Sequence, residues 1–275
     1  MSRDADPLRE ARERWHDRAA AWVRHAEWVE EVARPVTGRL LASSLRGRVL
    51  EVACGTGVLT ERIARRSEVT EVVALDLAPG MIEETIRRTA GLPQVRTVVG
   101  DAVSAALPPG PFDAAVCRYG LMLMPDPVAA AARVRRELVP GGTFHVAVWT
   151  GSQENPLLSL PAKILADAAG ERPDPSAKGP MTLGAPGALG AVLAAAGFES
   201  IEVARVEQAW EAPDVETLLE RIFDVSGTAH RLLSELGDRA GPARDRVRES
   251  LAPWRREGGR MVVPGASWVA VARRA

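Results

Sequence analysis

The sequence predicts an α/β fold: a mostly parallel sheet of seven strands, flanked by helices. Two observations predict it. Between residues 48 and 149, five short Val-rich runs alternate with helical patterns, as buried parallel strands and their crossover helices do. Beyond residue 197, two more runs with strand-like alternation, Ile201–Ala209 and Ser267–Ala272, extend the series.

The first 47 residues read as helix. Trp15, Trp22 and Val29 recur every seventh residue, and Ala19, Ala26 and Ala33 fill the same face. Arg12, Arg18, Arg24 and Glu31 cover the opposite side. Pro35 is expected to interrupt this helix, and Val36–Leu45 to form a second one leading into the sheet. The first five strands are Val49–Ala53, Val72–Leu75, Val95–Val99, Phe112–Cys117 and Thr143–Trp149. Helical patterns lie between them at Val58–Arg66, Pro79–Ala90 and Pro127–Leu138. Residues 150–184 are rich in Pro and Gly and hold one helix near Leu157–Ala169. An Ala/Leu helix over 185–197 is closed by Gly197. Three more helical patterns, Val215–Val225, His230–Leu236 and Ala243–Arg256, separate the last two strands. The organisation is a single domain over 1–275. It has an N-terminal helical cap (1–47), a ligand-binding core (48–149) and lid insertions at 150–184 and 210–258.

Composition excludes several function classes. The 275 residues are 46% hydrophobic and 26% charged, with a net charge of −1. That balance gives no electrostatic case for binding nucleic acid or an anionic membrane. No apolar run is long enough to span a bilayer, and the charged stretch MSRDADPLREARERW lacks an apolar signal-peptide core, so a cytoplasmic location is expected. Cys54 and Cys117 are the only cysteines, so no disulfide scaffold is available. No His/Asp/Glu cluster has metal-ligand spacing, and no metal is expected.

The informative segment is Val49-Leu50-Glu51-Val52-Ala53-Cys54-Gly55-Thr56-Gly57-Val58. A buried strand carries an acid near its end, and a Gly-x-Gly turn then opens a helix. Glycines there let backbone amides approach a ligand, and the helix start offers free N–H groups. Asp76 ends the second strand and Asp101 follows the third, so acids recur at 51, 76 and 101, one βα unit apart. Open α/β sheets bind ligands at these carboxyl ends.

This pattern resembles the class I S-adenosylmethionine-dependent methyltransferases. Glu51-x-x-x-Gly55-x-Gly57 is similar to the family's first motif, and Asp76 in Val-Val-Ala-Leu-Asp-Leu-Ala-Pro-Gly-Met to its second. Gly100-Asp101-Ala102 resembles the third, and Phe112-Asp113-Ala114-Ala115-Val116 the fourth strand. Leu138-Val139-Pro140-Gly141-Gly142 and Ala195-Ala196-Gly197-Phe198 resemble the approaches to strands five and six. Within the class the likeness is to the ubiquinone/menaquinone-biosynthesis-like small-molecule branch, including natural-product enzymes.

The resemblance implies a Rossmann-like fold and S-adenosyl-L-methionine as cofactor. Asp76 would accept from the ribose hydroxyls and Asp101 from the adenine amine, with the Ala102 or Val103 amide near the ring. Leu77 and Met81 would flank the base. The Ala53–Gly57 turn, with Cys54 and Gly55 closest, would wrap the methionyl part, and Glu51 would favour its amine. The Cys117 carbonyl and Arg118 would complete the floor. The acceptor pocket is expected to draw on Trp22, Tyr119, Met122 and Trp149.

A dinucleotide-binding dehydrogenase is the rival in this fold class, but Thr60 stands where its third glycine would be. Cys54 reads as the small residue a tight turn tolerates rather than a nucleophile, and Cys117 and His145 read as core. His16, His25 and His230 lie on peripheral helices, and one of them could reach an acceptor as a general base. The expected activity is methyl transfer to a small, largely apolar metabolite, aromatic, quinone-like or another natural product. The same fold and cofactor running a cyclisation, or a non-catalytic cofactor-binding module, are the alternatives.

Overall fold

The computed structural model describes residues 6–42, 45–172 and 178–275. Its sheet has seven strands: β1 (Gly47–Val52), β2 (Val69–Asp76), β3 (Val95–Val99), β4 (Phe112–Arg118), β5 (Leu138–Trp149), β6 (Glu199–Ala212) and β7 (Met261–Arg273). Their order across the sheet is β3-β2-β1-β4-β5-β7-β6. Pairings among β1 to β5 are parallel, while β7 runs antiparallel to both β5 and β6. All strands except β7 therefore present their carboxyl ends on one side.

Helices α1 (Pro7–Arg24) and α2 (Ala26–Leu41) precede the sheet. Between strands lie α3 (Val58–Ala64), α4 (Pro79–Arg88) and α5 (Pro127–Glu137). After β5 come α6 (Pro156–Ala169) and α7 (Ala188–Ala195), and α8 (Val215–Val225), α9 (Gly227–Leu236) and α10 (Ala240–Ser250) separate β6 from β7. Strand alternation divides the core in two. Val49, Val72, Ala114 and Val116 pack with Leu59 and Ile63 of α3 on one face. Leu50, Val73, Ala115 and Phe144 join the larger cluster on the other, which also holds Val134 of α5 and Leu193 of α7.

The N-terminal helices break at His25 (φ −108°, ψ 15°), not at the expected Pro35. Pro35 lies inside α2. A proline removes the hydrogen bond to the carbonyl four residues earlier. Here both Pro35 and Glu31 are exposed, so water can serve that carbonyl. Val36 and Leu40, on the opposite face, are fully buried against Ala147 and Val269 and hold the helix through the proline. Helix α2 ends at Leu41.

The insertion between β6 and β7 stands one layer behind the site rather than over it. Val215, Leu218, Leu219, Ile222 and Phe223 of α8 are all buried in the main core. That packing consumes the apolar face that a lid would present to a ligand. Helices α8 and α9 back onto α1, while α6 packs against α9 and α10.

Candidate functional site

A cavity of about 750 Å³ opens at the carboxyl ends of β1 to β6, beneath α1 and α2. Its two halves differ in chemistry. Over β1, β2 and β3 it is lined by Glu51, Asp76 and Asp101, each at or near the end of its strand. Over β4, β5 and β6 it is lined by Tyr119, Trp149 and Trp210.

The glycine turn explains the acidic half. Ala53 (φ 57°) and Gly55 (φ 58°) both adopt left-handed backbone. A Cβ added at Gly55 would meet nothing within 4 Å, so the turn leaves open space on the cavity side. Gly57 does different work. A Cβ there would lie 2.9 Å from the Thr85 backbone, so this glycine lets α3 start against α4. It does not line the cavity.

Asp76 is clamped by the chain it serves. Its Oδ2 accepts from the Gly55 N–H and its Oδ1 from the Ala78 N–H, both at 2.9 Å. Each oxygen keeps a further lone pair, and two such acceptors are what the hydroxyl donors of a ribose diol require. Burial raises its pKa, and the Ala78 and Gly55 amides oppose the rise. Asp101 is tied by one oxygen, which accepts from Ser104 N at 3.1 Å and Ser104 Oγ at 2.8 Å.

Glu51 lies deeper. Its Oε2 accepts from Thr60 Oγ1 at 2.6 Å, and only 2% of the residue is exposed. Burial pushes its pKa up to about 7, while the Thr60 hydrogen bond and the Arg118 charge lower it. The glycine position that a dinucleotide fold would need is therefore filled by the residue that holds this acid.

Arg118 is bound from above. It donates to Thr37 Oγ1 at 2.7 Å and forms an ion pair with Glu30, both on α2. Glu30 also pairs with Arg62 of α3 at 3.3 Å. The expected floor residue is thus a post that fixes α2 over the end of β4, although Arg118 and Glu30 both reach the cavity wall.

The aromatic half is a continuous wall. Tyr119 stacks on Trp149 with ring centroids 4.2 Å apart and planes within 4°. Trp149 meets Trp210 at 5.6 Å, and Trp210 meets Trp28 at 5.0 Å. Tyr119 takes left-handed backbone (φ 61°), and its hydroxyl lies 3.2 Å from Gln208 Oε1 and 3.1 Å from Ser267 Oγ. A strained, doubly anchored residue at a cavity wall marks a site whose shape is held by its surroundings. Gly120 follows because a Cβ there would fall 2.4 Å from the Ala53 Cβ.

Most expected residues come together. Glu51, Ala53, Cys54, Gly55, Asp76, Leu77, Met81, Asp101, Ala102 and Arg118 all line the cavity, as do Trp22, Tyr119 and Trp149. Gly57, Val103, Cys117 and Met122 do not. Val103 turns its carbonyl to Arg133 at 3.2 Å. Cys117 and Met122 sit in the main core, at most 2% exposed. Trp22 lies nearer the acidic half than expected, clustered with Ala78 and Met81. Its indole N–H is buried without a hydrogen-bond partner among the described residues.

The histidine candidates are corrected. His16 is exposed, with Nδ1 against Gly80, and His230 is exposed on α9. His25 Nε2 lies 2.9 Å from Asp224 Oδ2. None of the three lines the cavity. His145 is core as expected: Nδ1 lies 3.1 Å from the Leu40 carbonyl and Nε2 2.9 Å from Thr143 Oγ1. Burial lowers its pKa to about 4. Burial also raises the Cys54 thiol well above its ordinary value and Cys117 to about 12, so neither is a nucleophile at neutral pH.

Sequence reasoning missed Glu30, Gly120 and Trp210. Gly120 had a signal, a glycine directly after the fourth strand. Trp210 stands one residue past the expected end of its strand. Glu30 had none, being one acid among several on an amphipathic helix.

Among the described residues no group of His, Cys, Asp and Glu could hold a metal, and no helix is long and apolar enough to cross a membrane.

Comparison with known proteins agrees with this geometry. A family described as a methyltransferase domain matches residues 49–142. Nocamycin O-methyltransferase of Saccharothrix syringae is 31% identical, over 81% of this chain and 85% of that protein. Demethylmenaquinone methyltransferase of Deinococcus radiodurans is 36% identical over 40% of this chain and 45% of that one. Among solved structures, the YcgJ protein of Bacillus subtilis superposes with a TM-score of 0.59 at 18% identity, covering 88% of this chain and 98% of its own. The cyclase SpnF does so with 0.55 at 20% identity, over 87% and 79%. At these identities the two structures speak for the fold alone.

Proposed function

The chain belongs to the S-adenosylmethionine-dependent methyltransferases, and on that premise we propose that it methylates a small, largely apolar metabolite held against the Tyr119–Trp149–Trp210 wall. The observation that carries this reading is the single cavity with two chemically distinct halves, the polar one over β1 to β3 and the aromatic one over β4 to β6. When bound, S-adenosylmethionine supplies an electrophilic methyl group on a sulfonium.

The chain's own residues supply placement and dryness. In this reading the Asp76 carboxylate, held by two backbone amides, receives the ribose hydroxyls, and Asp101 receives the adenine amine. Leu77 and Met81 flank the base, and the Ala53–Gly55 turn faces the methionyl part. Glu51 takes the amine from below. The aromatic wall then fixes the acceptor so that its nucleophile approaches in line with the methyl group. Alignment of that kind, with water excluded, supplies most of the rate in a displacement that needs little covalent help.

A small acceptor is favoured because α1 and α2 lie over the cavity, whose volume of about 750 Å³ is that of a small-molecule site. The net charge of −1 supports the same choice. The nocamycin relative supports a natural-product setting for the acceptor, and the proposed compartment is the cytoplasm. Incubation with methyl-labelled S-adenosylmethionine and a fractionated bacterial lysate tests the reading. Label should enter the small-molecule fraction; label confined to protein or RNA would overturn it.

A further inference from the structure

Among the described residues, no buried base lines the acceptor half of the cavity. No histidine among the described residues lines it. The acids Glu51, Asp76 and Asp101 all lie in the half assigned to the methyl donor, and Glu30 is taken by Arg118 and Arg62. Tyr119 is a phenol whose pKa burial raises, with its hydroxyl engaged by Ser267 and Gln208. Apart from Glu10, an exposed carboxylate at the rim, no acid or histidine that lines the cavity among the described residues is left to take a proton from a neutral hydroxyl.

The mouth of the cavity carries charge of the opposite kind. Arg14 on α1 and Lys178 in the segment after α6 line it, and neither has an ion pair or hydrogen bond among the described residues. Both side chains are exposed and line the cavity, so their charge is free to meet an incoming ligand. Glu10, four residues before Arg14, is the acid on the same rim, and the three side chains leave a net positive mouth.

Resting on the reading of a small acceptor, we propose that this acceptor arrives as an oxyanion: an oxygen acid ionised at neutral pH, a carboxylate or an acidic enol, on a flat apolar body. Arg14 and Lys178 select it at the mouth, and the rings of Tyr119, Trp149 and Trp210 hold its body. The missing base then has a reason. An oxyanion lone pair forms the new O–CH₃ bond as the C–S bond of the donor breaks. The electron pair of that bond stays on sulfur, the sulfonium charge and the oxyanion charge cancel, and no proton moves. The product is a neutral ester or enol ether, which the positive mouth no longer holds. An ammonium-bearing acceptor would meet repulsion at the same place and would need a base to free its lone pair.

Calorimetry on the full chain loaded with S-adenosylhomocysteine tests this with three probes that share one flat ring: naphthoate, naphthamide and naphthylmethylammonium. Naphthoate should bind about ten-fold more tightly than the amide, with the ammonium weakest, and added salt should shrink the difference. The double variant Arg14→Gln, Lys178→Gln should bring naphthoate to within about two-fold of the amide while leaving the amide unchanged. Glu10→Gln should strengthen naphthoate. Both cations are exposed side chains, so the fold is not at stake. An ammonium probe that binds as well as naphthoate, a preference that survives the double variant, or no binding by any probe in the millimolar range would each overturn the proposal. Failure to bind S-adenosylhomocysteine, measured first, would instead overturn the reading on which it rests.

Discussion

His25 Nε2 lies 2.9 Å from Asp224 Oδ2, joining the break between the two N-terminal helices to a helix 199 residues further along the chain. The same carboxylate pairs with Arg24 and, at 3.4 Å, with Arg18. The β6–β7 insertion therefore acts on the site at one remove, by fastening the helix that roofs it. Asp224→Asn should cost about 1 kcal/mol of stability, since the group is partly exposed and its pairs are partly screened. Hydrogen exchange should quicken across residues 7–24, with the strands of the sheet unchanged. Uniform quickening, or none, would count against the clasp.

Glu51 sets a pH window. Its pKa is raised from 4.5 to about 7. The folded chain therefore holds a proton that the unfolded chain releases, and the associated stability is fully present below pH 4.5 and lost as pH rises to about 7. Glu51→Gln should stabilise the ligand-free protein above that range by up to about 3 kcal/mol and have little effect near pH 4.5. A ligand amine beside Glu51 favours the charged form, so S-adenosylhomocysteine affinity should rise as pH climbs toward 7. Calorimetry across that range should show the rise in the natural protein and its loss in Glu51→Gln.

Asp76→Ala should weaken S-adenosylhomocysteine by about 1.5–3 kcal/mol, the scale for loss of a charged hydrogen-bond partner. The variant also leaves the Gly55 and Ala78 amides without their acceptor, so Asp76→Asn, which retains one oxygen, should lose less. Equal affinity in folded Asp76→Ala would remove this residue from the site.

The two glycines of the turn should fail differently. Gly55→Leu projects into cavity space and should abolish cofactor binding, with a thermal transition lowered only by the cost of its left-handed backbone, about 1 kcal/mol. Gly57→Ala collides with Thr85 and should lower stability more than it lowers affinity in the protein that remains folded. Far-ultraviolet melting curves beside cofactor titrations separate the two.

Glu30→Ala should be costly, about 3 kcal/mol, because it leaves the largely buried Arg118 guanidinium without its ion-pair partner. Glu30→Ala combined with Arg118→Met should recover much of that loss. Denaturant titrations of the single and double variants give the coupling directly, and additive losses would show that the pair does not act as a unit.

By itself the sequence determined the sheet, the glycine turn and the acid ladder at 51, 76 and 101. Each rests on short-range chemistry. Buried parallel strands need unbroken Val-rich runs, a left-handed turn beside a ligand needs glycine, and parallel topology puts every strand end on one side whatever else folds around it. The longer β6 and β7 were only partly legible, because pairing along their whole length, through Trp210 and Pro264, is a property of the partner strand. Tertiary structure alone decided the rest. Pro35 broke no helix, because its face looks to solvent while Val36 and Leu40 are locked beneath it. Arg118 became a post for α2, and Trp22 moved toward Met81, because helices far apart in sequence meet there. Gly57 and Met122 left the cavity for packing, and none of the three histidine candidates entered it. Those outcomes depend on how helices dock over a sheet. Docking is set by the summed burial of many side chains, which no local pattern records.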